Sequence, residues 1–232
     1  MKSYAKILEN SPSGDFLKRF AFFPKSLGSI RIMAYISLTM STLIIHPQDP
    51  STDFLKQIYA KTIQDKTLIT GGISKTELQN LIRNHDRIIM LGHGTPNGLL
   101  SVGQFPTVGS YIIDSSDSEI LSTQTDNVYI WCHSNLFVNE HRLKGFFSGM
   151  FISESDETFY CDLWDVDLKV IEESNELFVS AVSKYINEPL HVLYENVIKE
   201  YGILEKTNPI AKYNLERLYF YDRKINSSNR LY

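Results

Sequence analysis

The sequence predicts an α/β protein with a mostly parallel central sheet flanked by helices and a helical C-terminal third. Two strands are predicted at Ile88–Leu91 and at Asn127–Ser134, the second of which ends in polar residues. Their apolar blocks, Ile88–Leu91 and Val128–Cys132, contain no alternating polar positions. Such uniform blocks are typical of central strands that helices cover on both faces. Strand, turn and helix patterns also alternate twice before residue 92, which favours a parallel sheet over an all-β or all-α protein.

The stretch from residue 41 to residue 63 predicts the first half of a βαβ unit. A strand at Ser41–His46 and a turn at Pro47–Pro50 precede apolar residues at helical spacing, which continue to Ile63. Ser51 or Thr52 is the expected N-cap of this helix, because a hydroxyl oxygen can accept from the free backbone N–H groups of the first turn.

A second strand and helix precede the first apolar block. The strand is expected at Thr67–Thr70, before the Gly71-Gly72 pair. Ser74, with Glu77 three positions later, predicts a capping box at the start of the helix.

Weaker patterns describe the remaining elements. Tyr111–Asp114 predicts a strand and Ser116–Leu121 a helix, whereas Asn135–Asp167 is expected to be loop-rich with one strand at Met150–Ser153. Three helices are expected in the last third of the chain: Asn175–Tyr185, Leu190–Tyr201 and Pro209–Tyr219.

A single domain spanning residues 1–232 is expected. Residues 1–28 predict a lead-in, followed by a strand at Ile30–Ser37; residues 41–167 would form the core that carries the site, and residues 174–232 the C-terminal helices. Leu215, Leu218, Tyr219 and the aromatic tail to Tyr232 are expected to pack on the sheet, with a homodimer surface as the alternative.

The composition narrows the classes of partner. Of the 232 residues, 43% are hydrophobic, which is enough for a substantial core, and the net charge is −4. A nucleic-acid binder usually has a basic balance or a basic stripe, so no nucleic-acid partner is expected. The longest early apolar run, Ile30–Ile45, is shorter than a bilayer requires and is interrupted by polar residues, so no membrane association is expected either.

Two cysteines, Cys132 and Cys161, do not make a disulfide framework. A reducing compartment suits such a chain, and the first 28 residues lack the pattern of a signal peptide. The sequence therefore predicts a cytoplasmic protein with free thiols.

His93 and Cys132 are the candidate catalytic pair. His93 follows the first apolar block and Cys132 ends the second, so neighbouring parallel strands would deliver imidazole and thiol to the carboxyl edge of the sheet, where open α/β sheets place their sites. An adjacent imidazole can take the proton of a thiol and so generate the nucleophilic thiolate. The N–H groups of Gly94 and Cys132 are candidates for an oxyanion hole.

The blocks IIMLGHG and VYIWC, in this order and spacing, resemble the caspase-like cysteine peptidases, which include caspases, metacaspases, legumains, gingipains and clostripain. The resemblance covers about residues 41–155. It implies a caspase-like three-layer sandwich and a cysteine endopeptidase in which His93 is the general base and Cys132 the nucleophile. A thioester acyl-enzyme would be hydrolysed without a cofactor or metal. The substrate would be a protein or peptide, and such relatives are often regulated, which leaves open a small-molecule activator and a role as a bacterial effector.

The flanks of the cysteine depart from the caspase signature. Ile130 stands two positions before Cys132, where many relatives carry a polar or charged residue that reads the substrate. Neither Asp-specific nor Arg-specific cleavage follows from the resemblance. Ile130 and His133 are the expected substrate contacts beside the nucleophile, and the remaining candidates, for a pocket that prefers basic side chains, are Asp156 and Glu157.

Other interpretations compete with the dyad. Cys132 is also consistent with a buried core thiol. His133 and His141 near Cys132 suggest zinc, but no metal-ligand spacing accompanies them. A different class of function is a binding or sensor protein on the same scaffold, in which the Gly-His-Gly turn holds a small ligand such as a nucleotide signal and no bond is broken.

Overall fold

The computed structural model describes residues 40–101, 111–164 and 166–222, of which residues 160 and 161 are described by their backbone only. These residues belong to a unit that begins at Thr39. The expected lead-in, the strand at Ile30–Ser37 and the tail after residue 222 lie outside the described residues.

Nine strands and six α-helices make up the described chain. The strands are β1 (Thr42–Ile45), β2 (Lys66–Ile69), β3 (Arg87–Leu91), β4 (Gly94–Thr95), β5 (Gly98–Leu100), β6 (Tyr111–Ile113), β7 (Val128–Ile130), β8 (Gly145–Ser148) and β9 (Leu218–Tyr221). The α-helices are α1 (Lys75–Arg83), α2 (Ser118–Thr123), α3 (Ser134–Glu140), α4 (Leu168–Tyr185), α5 (Leu190–Tyr201) and α6 (Pro209–Leu215). The 3-10 helices are Pro50–Ile58, Ser115–Asp117, Ser155–Cys161 and Gly202–Leu204.

The central sheet has six strands in the order β2-β1-β3-β7-β8-β9. All neighbours are parallel except β8 and β9, which are antiparallel. The mostly parallel α/β fold predicted from the sequence is therefore confirmed. The two apolar blocks are adjacent strands, and Leu91 lies opposite Ile130. The residues that follow them consequently emerge at the same edge of the sheet.

Each face of the sheet has its own buried core, because successive side chains of a strand point to opposite faces. On one face the strands pack on α4, α5 and the 3-10 helix Pro50–Ile58 through Ile44, Ile89, Val128, Phe146, Leu55, Ile58, Phe178, Val182, Leu193 and Val197. On the other face they pack on α1, α2 and α3 through Leu43, Ile88, Tyr129, Phe147, Leu78, Ile82, Leu121 and Phe137. Helices therefore cover both faces of the sheet.

The loop after β1 differs from its prediction. Asp49, rather than Ser51 or Thr52, is the N-cap: its carboxylate accepts from the N–H of Ser51 at 3.0 Å, and Pro50 begins the 3-10 helix. Proline suits this position because its fixed φ is already helical and its missing N–H would have no helical partner. The hydroxyl of Ser51 is thereby left for another contact. The predicted capping box of Ser74 and Glu77 is confirmed.

The region predicted as loop-rich, Asn135–Asp167, contains α3 and the 3-10 helix Ser155–Cys161. Its strand is β8, not Met150–Ser153. The run that pairs with β7 is Gly-Phe-Phe-Ser, and Gly145 is required there because its φ is 147° and a Cβ would overlap Asn127 O.

The helix predicted at Pro209–Tyr219 ends at Leu215, and β9 follows. The Leu-Tyr-Phe-Tyr run of β9 is rich in aromatic residues, which favour strands, and it pairs with β8 at the edge of the sheet. Helix α4 also begins earlier than Asn175, at Leu168, with the Asp167 side chain as its N-cap. Within the described ranges, no helix is long and apolar enough to cross a membrane.

Candidate active site

His93 and Cys132 line one narrow cleft, with a volume of only about 20 Å³, at the carboxyl edge of β3 and β7. The cleft is formed by the turns after these strands, by the 3-10 helix that follows β1, and by the segment after β8. Its lining residues are Thr52, Phe54, Leu55, Gly92, His93, Ile130, Trp131, Cys132, Phe151, Ser153 and Glu157. The cleft thus holds both members of the candidate pair.

The turn that carries His93 is fixed by its backbone. Gly92 has a φ of 138°, in a region that side-chain-bearing residues rarely adopt, and its N–H donates to Ile130 O at 3.1 Å. The chain then enters the small antiparallel sheet β4-β5-β6, where Leu100 N donates to His93 O at 2.9 Å. Backbone hydrogen bonds therefore connect the turn of His93 both to β7 and to β5.

The imidazole of His93 has partners that the sequence did not indicate. Its Nε2 lies 2.6 Å from Ser51 Oγ, and the Ser51 hydroxyl donates to Asp49 Oδ1 at 2.7 Å. The Ser51 hydroxyl, above all, holds the pKa of the Asp49 carboxyl below its usual value. Asp49 and Ser51 look like ordinary helix-start residues in the sequence, and only the fold brings them to a histidine about forty positions away.

Gly94 occupies a position where its amide is available. His93 and Leu100 form a hydrogen-bonded pair, so the next pair, Gly94 opposite Leu99, has its N–H groups pointing away from the partner strand. A Cβ at position 94 would overlap the Trp131 ring, whose Nε1 donates to Thr95 O at 3.2 Å. Glycine here lets the turn of His93 pack directly on the residue that precedes Cys132.

The turn that carries Cys132 is tight. His133 has a φ of 67°, a left-handed conformation that is costly for a residue with a side chain, and its N–H donates to Gly149 O at 3.0 Å. The buried Ser134 Oγ lies 2.6 Å from Ser148 O and 2.8 Å from Tyr129 O. Within the described residues the N–H of Cys132 makes no hydrogen bond.

The thiol of Cys132 faces acceptors other than His93. Its Sγ lies 3.6 Å from Phe151 O and 3.8 Å from Glu157 Oε1, and in the described part of the chain it makes no hydrogen bond to the imidazole. Burial, and secondly the charge of Glu157, raise the pKa of the Cys132 thiol to about 12. In this state the sulfur is a protonated thiol at neutral pH.

The four predicted substrate contacts separate into two groups. Ile130 and Glu157 line the cleft, whereas His133 and the exposed Asp156 do not. The Glu157 carboxylate also accepts from Ser153 N at 2.6 Å and from Glu154 N at 3.1 Å, which anchors it beside the thiol.

Carboxylates are concentrated around the cleft. The pKa of Glu154 is raised, first by burial and then by the charge of Glu157, with further contributions from Asp49 and Asp156, whereas His93 lowers it. The described residues include no group of three His, Cys, Asp or Glu side chains that could hold a metal ion. The arrangement therefore offers acid–base and nucleophilic groups in a negatively charged setting.

Comparison with known proteins assigns no family. The chain matches no protein-family model and no curated protein sequence.

Proposed function

We propose that this protein is a cysteine endopeptidase of the caspase-like type, with Cys132 as nucleophile and His93 as general base. The observation that carries the proposal is the cleft that both side chains line, at the carboxyl edge of two neighbouring parallel strands. The mostly parallel sheet with helices on both faces is compatible with the sandwich that the sequence resemblance implies.

The first half of the reaction forms a thioester. The Cys132 proton moves to the imidazole of His93 as sulfur attacks the peptide carbonyl carbon. The N–H groups of Gly94 and Cys132 stabilise the negative charge that develops on the carbonyl oxygen. The C–N bond then breaks, and the leaving amine takes the proton from His93.

The second half regenerates the enzyme. His93 removes a proton from water as the water attacks the thioester carbon, and the C–S bond breaks. The acyl group leaves as a carboxylic acid, and the sulfur recovers its proton from the imidazolium. No redox or metal step is needed for this balance.

The elevated pKa of Cys132 constrains how the reaction starts. A thiol with a pKa near 12 supplies almost no thiolate at neutral pH, so proton transfer must accompany attack or follow a displacement of Glu157 from the sulfur. A small-molecule activator or a partner that moves the Ser155–Cys161 helix would act at this contact.

A second candidate is small-ligand binding in the same cleft without bond cleavage. It is favoured by one observation, namely that the thiol contacts Phe151 O and Glu157 instead of the imidazole. The surrounding carboxylates would repel phosphates, so on this hypothesis a cationic or neutral ligand fits better than a nucleotide.

Labelling by a thiol-directed peptide probe separates the two candidates. We expect the wild-type protein to be labelled at Cys132 at neutral pH, and labelling to be lost in Cys132→Ala and strongly reduced in His93→Ala. Cys161→Ala is the matched control and should label as the wild type does. Equal labelling of both cysteines, independent of His93, would exclude the peptidase.

A further inference from the structure

The loop after β1 connects a carboxylate to the imidazole of His93 through one hydroxyl group. Ser51 Oγ lies 2.7 Å from Asp49 Oδ1 and 2.6 Å from His93 Nε2, whereas Asp49 Oδ1 itself is 3.9 Å from Nε2. The carboxylate therefore reaches the ring by way of the serine and not directly.

The direction of these hydrogen bonds follows from the single proton of the Ser51 hydroxyl. The Ser51 hydroxyl has one proton, and it is donated to Asp49, whose pKa is below its usual value so that the group is an acceptor only. The short contact to the ring must then be a donation from His93 Nε2–H to Ser51 Oγ. In the neutral ring this arrangement leaves Nδ1 without a proton, and Nδ1 makes no hydrogen bond among the described residues.

Further side-chain hydrogen bonds support the loop that holds the relay. Thr52, next to Ser51, donates to Asp49 O at 3.2 Å and lies 3.3 Å from Nε2 of the buried His46. The other ring nitrogen of His46 lies 3.0 Å from Tyr59 Oη, on the turn that ends the 3-10 helix. His46 therefore links the two ends of the short helix that begins beside Ser51.

We propose that Asp49 and Ser51 are positioning residues that hold His93 in the Nε2–H tautomer, so that Nδ1 is the atom that receives the Cys132 proton. The inference rests on the proposed function for its purpose, but the hydrogen-bond relay itself can be tested without turnover. An N-cap needs only the bond from Ser51 N to Asp49, which is present at 3.0 Å. The contact between the Ser51 side chain and His93 is additional to this N-cap bond and orients the imidazole ring.

The direct test is the tautomer of His93, measured from ring nitrogen chemical shifts in long-range proton–nitrogen correlation spectra at a pH where the ring is neutral. We expect Nε2–H in the wild type and a substantial Nδ1–H population in Ser51→Ala. Ser51→Thr keeps the hydroxyl and should restore the wild-type spectrum. Ser122→Ala, which removes an exposed hydroxyl on α2 that donates to Glu119 O, is the matched control.

Kinetics supply the second readout. Ser51→Ala should lower kcat on the order of tenfold to a hundredfold with KM little changed, because a mispositioned base slows proton transfer without altering substrate contacts. Ser51→Thr should recover most of the loss.

The outcomes separate this relay from the proposed function. An Nδ1–H tautomer in the wild type, or an unchanged spectrum in Ser51→Ala, overturns the relay even if Cys132-dependent cleavage is observed. The same spectra recorded on Cys132→Ala protein remain informative, so the expected tautomers together with cleavage that does not depend on Cys132 would support the relay and reject the peptidase.

Discussion

The turns that carry His93 and Cys132 differ in the hydrogen-bond partners that they give to these two side chains. His93 contacts the Ser51 hydroxyl, which in turn donates to Asp49, and its Nδ1 makes no hydrogen bond among the described residues. The thiol of Cys132, in contrast, is buried against a carbonyl and the Glu157 carboxylate. The imidazole therefore has a hydrogen-bonded partner that orients it, whereas the thiol is protonated at neutral pH. In the peptidase that we propose, we therefore expect activation to act at the contact between Cys132 and Glu157.

The largest expected effect comes from removing the nucleophile. Cys132→Ala should abolish peptide cleavage, since no other described thiol lines the cleft. Turnover of a fluorogenic peptide measures this loss, and an unchanged circular dichroism spectrum establishes that the fold is retained. Cleavage that persists in the variant would assign the activity to another group.

Removing the base should have the next largest effect. His93→Ala should lower kcat/KM by about a hundredfold to ten-thousandfold, the usual contribution of general acid–base catalysis. The same peptide assay provides the measurement. His141→Ala, a histidine after α3 that does not line the cleft, is the control, and an equal loss in both variants would contradict the assigned role.

The stability of the fold should also depend on pH, through the buried His46 that contacts the loop next to His93. Burial, above all, lowers the pKa of His46 to about 4 from 6.5, so between these values the unfolded chain binds the proton and the folded chain does not. The stabilisation from a neutral His46 is complete above pH 6.5 and decreases as the pH falls towards 4, by about 3 kcal/mol in total.

Urea unfolding between pH 7 and pH 4 measures this contribution. His46→Gln should flatten the pH dependence relative to the wild type. An equally steep dependence in both proteins would show that His46 is not its source.

The smallest expected effect concerns the influence of Glu157 on the Cys132 thiol. Glu157→Gln removes the negative charge 3.8 Å from Sγ and should lower the pKa of the thiol, raising the rate of Cys132 alkylation by iodoacetamide about threefold to tenfold at pH 8. Rates are followed by intact mass. Asp156→Asn removes an exposed neighbouring charge and should leave the rate close to that of the wild type; the opposite ranking would argue against the Glu157 contact.

The sheet was predictable because its signals are local and redundant. The blocks at Ile88–Leu91 and Val128–Cys132 are apolar at every position, and their adjacency follows from the preference of sequential strands for neighbouring places. Strand β9 was missed because Leu218–Tyr221 follows directly from a helical pattern, and its pairing with β8 is a long-range contact that periodicity does not reveal.

The site was predictable only where it coincides with strand ends. His93 and Cys132 are candidates from sequence because the first follows an apolar block and the second ends one. Ser51 and Asp49 reach His93 only through the parallel pairing of β1 with β3. The contact between Glu157 and Cys132 likewise depends on how the segment after β8 folds back over the cleft. No local pattern encodes either arrangement.

We propose that Cys132 and His93 act together to cut peptide bonds. The most direct measurement is a cleavage profile of a proteome-derived peptide library, read by mass spectrometry of new amino termini, for wild type, Glu157→Gln and Cys132→Ala. We predict new termini with wild type and more with Glu157→Gln, none of them produced by Cys132→Ala. Identical termini from all three proteins, or none from either protein that retains Cys132, would contradict catalysis by this pair.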